Sequence, residues 1–113
     1  MFSKYYFKKD IVKLYESLIS CDKVKSIELV KLEHVIENIV NILELKYRSD
    51  CKHFIRYVNI IISKYPIIYL LIDKFNSFNY DIKIYVVKII SYVLYTNDGV
   101  YYFLQHQFII DEI

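Results

Sequence analysis

Apolar residues recur at spacings of three and four along the first half of the chain, which places their side chains on one face of an α-helix. A first segment, beginning near Ser3, has its apolar positions at Phe7, Ile11, Leu14 and Leu18. A second and longer segment has them at Leu29, Leu32, Ile36, Ile39 and Leu43. Ser26 is placed to cap the second helix, and polar residues at 20–23 separate the two. We expect the second helix to lie at the centre of the core.

Two more helices are predicted on either side of the only proline. The third helix follows a cap at Ser49 or Asp50, and its apolar face consists of Phe54, Tyr57, Ile61 and Tyr65. Pro66 is expected in the first turn of the fourth helix, where its missing N–H costs no hydrogen bond. That helix presents Ile68, Leu71, Phe75 and Phe78.

The last third of the chain predicts a fifth and a sixth helix. The fifth follows a cap at Asp81 and has one face formed by Ile82, Val86, Ile89 and Val93. It is apolar nearly all round, so we expect it to be buried, with Lys83 and Lys88 as its only solvent-facing edge. The polar break at 97–99 starts the sixth helix, whose inward residues are expected to be Tyr101, Leu104 and Phe108.

Composition supports an all-α fold of about six helices, arranged either as stacked helical hairpins or as a compact bundle. Gly and Pro each occur once among the 113 residues, so the turns that β-hairpins need are missing. The β-branched runs at 60–62 and 82–90 also fit strands, but the scarcity of turn residues favours helices. The length predicts a single domain over 1–113. Abundant Ile and Lys without any Ala is typical of an AT-rich genome, as in parasites and large DNA viruses.

The chain carries more apolar material than so small a body can bury. Hydrophobic residues make up 56% of it, including 13 Tyr and 7 Phe. Tyrosine is suited to surfaces that are buried only on binding, so we expect an apolar face left for a protein partner or for self-association. Tyr92, Tyr95, Tyr101 and Tyr102 flank the 97–99 break and would gather if the last two helices fold back on each other. Together with Phe108 and Ile113 near the apolar C-terminus, they form the candidate protein-binding surface; the alternative is that these rings only fill space between helices.

The formal net charge of +2 is small, but it is unevenly distributed. Residues 1–65 carry 12 basic and 8 acidic side chains, against 3 and 5 in residues 66–113. The N-terminal lysines lie among aromatic residues. Proteins that bind single-stranded nucleic acid use this mixture, because lysines contact phosphates and aromatic rings stack on bases. They are Lys4, Lys8, Lys9 and Lys13. A role as a ribosome- or RNA-associated factor is therefore an alternative function, beside a solvated helix face with no ligand.

Recognisable catalytic chemistry is absent from the sequence. The histidines fall in three different predicted helices, and only Cys51 and His53 lie near each other, without a second pair at zinc-site spacing. Gly99 is isolated, which excludes a glycine-rich phosphate loop. We therefore expect no enzyme activity, no cofactor, no metal and no small-molecule substrate. The opening residues lack a signal-peptide pattern, and the apolar stretch 57–72 is interrupted by Lys64 and Pro66, so we expect an intracellular protein without a membrane span.

Residues 73–113 resemble one armadillo or HEAT-type helical repeat. A polar turn leads into the apolar helix at 82–95, an Asn-containing break follows at 97–98, and a further helix ends in the apolar and acidic residues 108–112. The resemblance implies stacked helix pairs and a concave protein-binding groove. It departs from the pattern at 105–107, where the glycine usually found before the last helix has no counterpart. A viral regulator with a Bcl-2-like bundle is a further alternative, based on size, helicity and composition.

Overall fold

The computed structural model describes residues 3–20, 26–63 and 66–106. Six α-helices and one 3₁₀ turn account for most of these residues. They are α1 (Ser3–Ser20), α2 (Ser26–Ser49), α3 (Cys51–Ser63), α4 (Ile67–Asp73), the 3₁₀ turn Phe75–Ser77, α5 (Tyr80–Leu94) and α6 (Asn97–Gln105). The described residues contain no strand, so the predicted all-α fold is confirmed.

The first two helices bury the faces that their apolar spacing predicted. All four predicted core positions of α1 are buried, as are four of the five in α2; the side chain of Leu29 lies outside the described part. Helix α2 packs against α1, α3 and α5 and therefore holds the central position expected of it. The radius of gyration is 13.4 Å, close to the roughly 13 Å typical of a single compact domain of this length.

Local hydrogen bonds set the boundaries of α3 and α4. The Asp50 carboxylate accepts a hydrogen bond from the backbone N–H of His53 at 3.3 Å and so caps α3. Pro66 lies directly before α4 rather than inside its first turn, and its carbonyl accepts from the N–H of Leu70 at 3.0 Å. The predicted fourth helix is too long, because α4 ends at Asp73 and a 3₁₀ turn follows. Tyr65 lies outside the described residues.

The caps of the last two helices differ from the prediction by one or two residues. Asn79, not Asp81, caps α5: its side chain accepts from the N–H of Ile82 at 2.9 Å. Thr96 caps α6 by accepting from the N–H of Gly99 at 2.9 Å. The segment 97–99 is therefore the first turn of α6, and the break in the chain lies just before it.

The inward face of α6 was predicted wrongly. Tyr101 is 62% exposed and Leu104 64% exposed, whereas Phe103 is buried. Gly99 approaches the backbone carbonyl of Val93 so closely that this contact fixes the rotation of α6 about its axis. With that rotation Phe103, one turn after Gly99, faces the core. Phe108 lies outside the described residues.

Helix α5 is not buried on all sides. Its predicted core face is fully buried, but Ile84, Val87 and Leu94 are exposed on the opposite side. The expectation that Lys83 and Lys88 mark its only solvent-facing edge is therefore wrong. An apolar helix that packs by one face in the monomer leaves the other face in contact with water.

Helices α3 and α4 contain the most apolar stretch of the chain. No single helix in the described part is long and apolar enough to cross a membrane. By length and composition, α3 and α4 pass that test only when taken together, and a bend of 68° separates their axes.

Candidate interaction surface

Four aromatic rings from α2, α3 and the end of α5 contact one another at one corner of the molecule. Tyr47 is at the centre of this ring cluster, which consists of Tyr47, Phe54, Tyr92 and Tyr95. The ring of Tyr47 stacks on Tyr95 with centroids 5.1 Å apart, and it meets the edge of Phe54 at 5.2 Å. Tyr92 lies within 5.9 Å of each of the other three rings. Such edge and stacked contacts add stability beyond simple burial.

The ring cluster is graded from core to solvent. Phe54 is buried and Tyr92 half-buried, whereas Tyr47 and Tyr95 are exposed. Burial, with a further contribution from the nearby Glu44 carboxylate, raises the pKa of the Tyr92 phenol. Glu44 is itself paired with Arg48 across one helical turn at 3.1 Å. Tyr47 and Tyr95 thus pack on the inner rings of the cluster on one side and are accessible to solvent on the other.

An exposed apolar strip, here called the α5 stripe, runs from this corner along the outer face of α5. Its spacings of mainly three, four and seven keep the side chains on one side of the helix. Its members are Tyr80, Ile84, Val87, Leu94 and Tyr95, with Tyr80 76% and Val87 52% exposed. Ser91 lies between Val87 and Leu94 on this face and interrupts the strip. Single exposed apolar residues are ordinary on protein surfaces, but several that share one face of a helix form a candidate interaction site.

Charged residues flank the α5 stripe on one side. Asp81 and Lys88 are both exposed and lie seven residues apart, which is two helical turns. They therefore share the same flank of α5. Lys83, nearer the body of the protein, lies 5.5 Å from the ring centroid of Phe75.

The four tyrosines predicted to gather do not all meet. Tyr92 and Tyr95 join the ring cluster, whereas the Tyr102 ring packs on the imidazole of His106 at 4.3 Å, and burial raises the pKa of Tyr102. No ring contact in the described part of the chain joins Tyr101 to Tyr92 or Tyr95. Phe108 and Ile113 lie outside the described residues.

Sequence reasoning missed Tyr47 and Phe54, which complete the ring cluster. Both lie close to the α2–α3 boundary near Asp50, just as Tyr92 and Tyr95 lie close to the α5–α6 boundary near Thr96. The sequence feature that points to the ring cluster is the presence of two aromatic pairs, each beside a helix boundary. That the two boundaries adjoin follows from the packing of α2 on α5, which is not a local property of the sequence.

A groove with a basic lining lies between α1 and α3, away from the α5 stripe. It has a volume of about 250 Å³ and is lined by Lys8, Arg56, Asn59, Ile60 and Ser63. Of the lysines predicted to contact an anion, Lys8 borders this groove, while Lys9 and Lys13 are exposed elsewhere on α1. The side chain of Lys4 lies outside the described part. Arg56 was missed because its approach to α1 depends on tertiary packing.

Groups that could serve metal binding or catalysis are dispersed over the described residues. Within those residues no three His, Cys, Asp or Glu side chains come together at metal-binding distance. The His53 imidazole is hydrogen-bonded to Asp50, and these hydrogen bonds lower the pKa of the Asp50 carboxyl. Cys51 is exposed. This end of α3 is thus a capping arrangement.

The surfaces described above have no counterpart to guide their interpretation. Comparison of the chain with known protein families, with curated proteins and with solved structures finds no match. The resemblance to an armadillo or HEAT-type repeat therefore stays a prediction from the sequence of the C-terminal third.

Proposed function

We propose that this protein is a non-enzymatic helical interaction module that associates through the α5 stripe, and that the occupant of this surface is a second copy of the chain. The observation that carries the proposal is the set of five exposed apolar side chains that share one face of α5 between Tyr80 and Tyr95. A helix whose buried face is already satisfied by α2 has no structural need for a second apolar face.

The size of the strip supports a stable contact. Its five side chains expose on the order of 500 Å², more than half of the roughly 800 Å² that each partner contributes to a standard interface. Tyr80 and Tyr95 at its two ends supply large, rigid rings of the kind that dominate binding energy. The backing of Tyr95 by Tyr47 reduces the side-chain entropy that binding has to overcome.

Charge placement favours a second copy in antiparallel orientation. If two α5 helices cross with their centres between Ile84 and Tyr85, Asp81 of one copy lies opposite Lys88 of the other, twice by symmetry. In the same register Tyr80 packs on Val87 of the second copy. An antiparallel pair in this register thus buries the N-terminal part of the strip, from Tyr80 to Val87, and joins opposite charges on its flank.

The test is the mass of the purified chain in solution by size-exclusion chromatography with light scattering over a wide range of protein concentration. We expect a dimer, and we expect Val87→Glu to shift it to monomer, because a carboxylate at the centre of the strip cannot be buried unpaired. Ile55→Glu is the matched control: Ile55 is 43% exposed on α3, a helix that contributes no residue to the strip, and its substitution should leave the mass unchanged.

Two other outcomes contradict the proposal. A wild-type chain that stays monomeric at high concentration while binding an apolar dye, with the dye lost in Val87→Glu, would assign the strip to a different protein. A monomer that binds no dye would show that the strip is an ordinary hydrated surface. Circular dichroism of Val87→Glu must show an unchanged helix content for either comparison to count.

A further inference from the structure

Two cationic and two neutral hydrogen-bonding side chains line the groove between α1 and α3. Lys8 contributes an ammonium from α1, and Arg56 contributes a guanidinium from α3. Asn59 and Ser63 follow Arg56 at three and seven residues, so these three side chains lie along one face of α3. Ile60 also lines the groove, and among the described residues no carboxylate does.

The two cations of the groove have no acidic partner among the described residues. Arg48, the other arginine of the chain, is paired with Glu44 at 3.1 Å, whereas no such pair involves Arg56 or Lys8. Two cationic side chains that line the same groove repel each other, and an anion bound between them reduces that repulsion. The electrostatics of the groove therefore favour a negatively charged occupant.

We propose that this groove binds a phosphate group, either free or as a monoester. A guanidinium offers two parallel N–H donors that match two phosphate oxygens, and the ammonium neutralises the remaining charge as a point donor. The Asn59 amide and the Ser63 hydroxyl add neutral donors for the other oxygens. A planar carboxylate ligand would leave part of this donor set unused, because it has only two oxygens.

The volume and the packing of the groove fit this ligand. A space of about 250 Å³ holds a phosphate with several waters, since each water takes roughly 30 Å³. The residues next to Lys8 and Arg56 in sequence are Phe7 and Tyr57, whose buried rings meet edge to face with centroids 4.7 Å apart. This contact holds α1 and α3 together beside the groove, so the backbones that carry the two cations are in place before the ligand arrives.

The site is tested by titrating the full ¹⁵N-labelled chain with sodium phosphate at constant ionic strength and following its NMR spectrum. We expect saturable shifts of the Arg56 side-chain N–H and of the Asn59 amide. Arg56→Gln and Lys8→Gln should each weaken binding about tenfold, as expected for loss of one charge-assisted contact. Arg56→Lys should fall in between, because it keeps the charge and loses the fork. Lys31→Gln on α2 removes the same net charge at an exposed site outside the groove lining and should change nothing.

A second experiment, with lipid vesicles, distinguishes a lipid phosphate from a soluble phosphate. The ligand is a lipid monoester if the protein sediments with phosphatidic acid vesicles but not with phosphatidylcholine vesicles, and if free phosphate and Arg56→Gln each abolish this sedimentation. The ligand is a soluble phosphate if the protein binds free phosphate but not the vesicles. Shifts that do not saturate, or that Lys31→Gln weakens equally, reflect general charge screening and overturn the proposal. Absence of binding in both experiments overturns it as well. Val87→Glu should bind phosphate normally, so failure of the dimer does not affect this test.

Discussion

At the scale of single residues, the joint between α5 and α6 depends on two small side chains. The Thr96 hydroxyl donates to the Val93 carbonyl at 3.0 Å and accepts from the Gly99 N–H at 2.9 Å. The hydroxyl thereby satisfies a backbone carbonyl at the end of α5 and a backbone N–H at the start of α6. Since Thr96 is buried, these two hydrogen bonds are shielded from competition with water.

Gly99 has no room for a side chain. A methyl group added there would overlap the Val93 carbonyl oxygen and lie 2.7 Å from its carbon and 2.9 Å from the Thr96 hydroxyl. We expect Gly99→Ala to lower the free energy of unfolding by about 2 kcal/mol, because the overlap outweighs the roughly 1 kcal/mol that alanine gains in helix propensity. Urea unfolding measures this. Asn97→Ala, at an exposed site in the same turn, is the control; equal stability of the two variants would contradict the close approach.

Tyr57 carries a polar atom that its surroundings do not use. Its hydroxyl is buried without a hydrogen-bond partner in the described part of the chain, although its ring packs well on Phe7. We expect Tyr57→Phe to raise the free energy of unfolding by about 1 kcal/mol, since a buried unsatisfied hydroxyl costs roughly that much. Tyr57→Leu should lower it, because the ring contact is lost. A clear destabilisation by Tyr57→Phe would show that the hydroxyl is hydrogen-bonded.

Asp10 on α1 makes stability depend on pH. Burial raises the pKa of its carboxyl above the ordinary 3.8, and Lys13 and His34 offset part of this effect. The folded state therefore holds the proton more tightly than the unfolded state, so stability falls as pH rises from 3.8 through the raised pKa. Asp10→Asn removes this loss. We expect its stability advantage over wild type to grow as pH rises above 3.8, measured by urea unfolding; Glu16→Gln on the same helix is the control, and an advantage independent of pH would exclude the carboxyl as the cause.

At the scale of helices, the sequence predicts the elements well and their exposed sides poorly. The buried face of α5 follows directly from its three- and four-residue spacing, but Ile84, Val87 and Leu94 are as apolar as the core positions. Whether these residues are exposed to solvent depends on how many helices pack around α5. A single sequence does not contain that number in any local pattern.

The rotation of α6 has the same kind of cause. Tyr101, Phe103 and Leu104 are all apolar, so spacing allows more than one inward face. The contact of Gly99 with the Val93 backbone selects Phe103. The ring cluster is a further example, since Tyr47 and Tyr95 are distant in sequence and meet because α2 packs on α5. The capping residues were predicted in part. Asp50 was one of two candidates for α3, with Ser49 as the other, and at α5 the cap is Asn79, two positions before the predicted Asp81.

At the scale of the whole molecule, the two candidate surfaces belong to different helices. The α5 stripe lies on a helix that packs on α2, α4 and α6, whereas the basic groove lies between α1 and α3. Helix α2 lies between the helices that carry the two surfaces and contributes no residue to either the stripe or the lining of the groove. A substitution on one surface can therefore be made without altering the other, which keeps self-association and anion binding experimentally separate.

Charge reversal on the flank of α5 tests the geometry of the proposed dimer as well as its existence. Asp81→Lys places a lysine opposite Lys88 of the second copy, and Lys88→Asp places two aspartates opposite each other; each change occurs twice by symmetry. We expect each single variant to raise the dimer dissociation constant about tenfold at low salt, and less at high salt because the charges are exposed. Sedimentation equilibrium measures both values.

The double variant Asp81→Lys with Lys88→Asp restores opposite charges across the interface, so its dissociation constant should return to within about threefold of wild type. Lysine in the first turn of α5 weakens the helix by roughly 0.5 kcal/mol in both the single and the double variant, so this effect cannot mimic the recovery. If the two substitutions instead weaken the dimer additively, Asp81 and Lys88 do not face each other, and the antiparallel register centred between Ile84 and Tyr85 is wrong even where the chain dimerises.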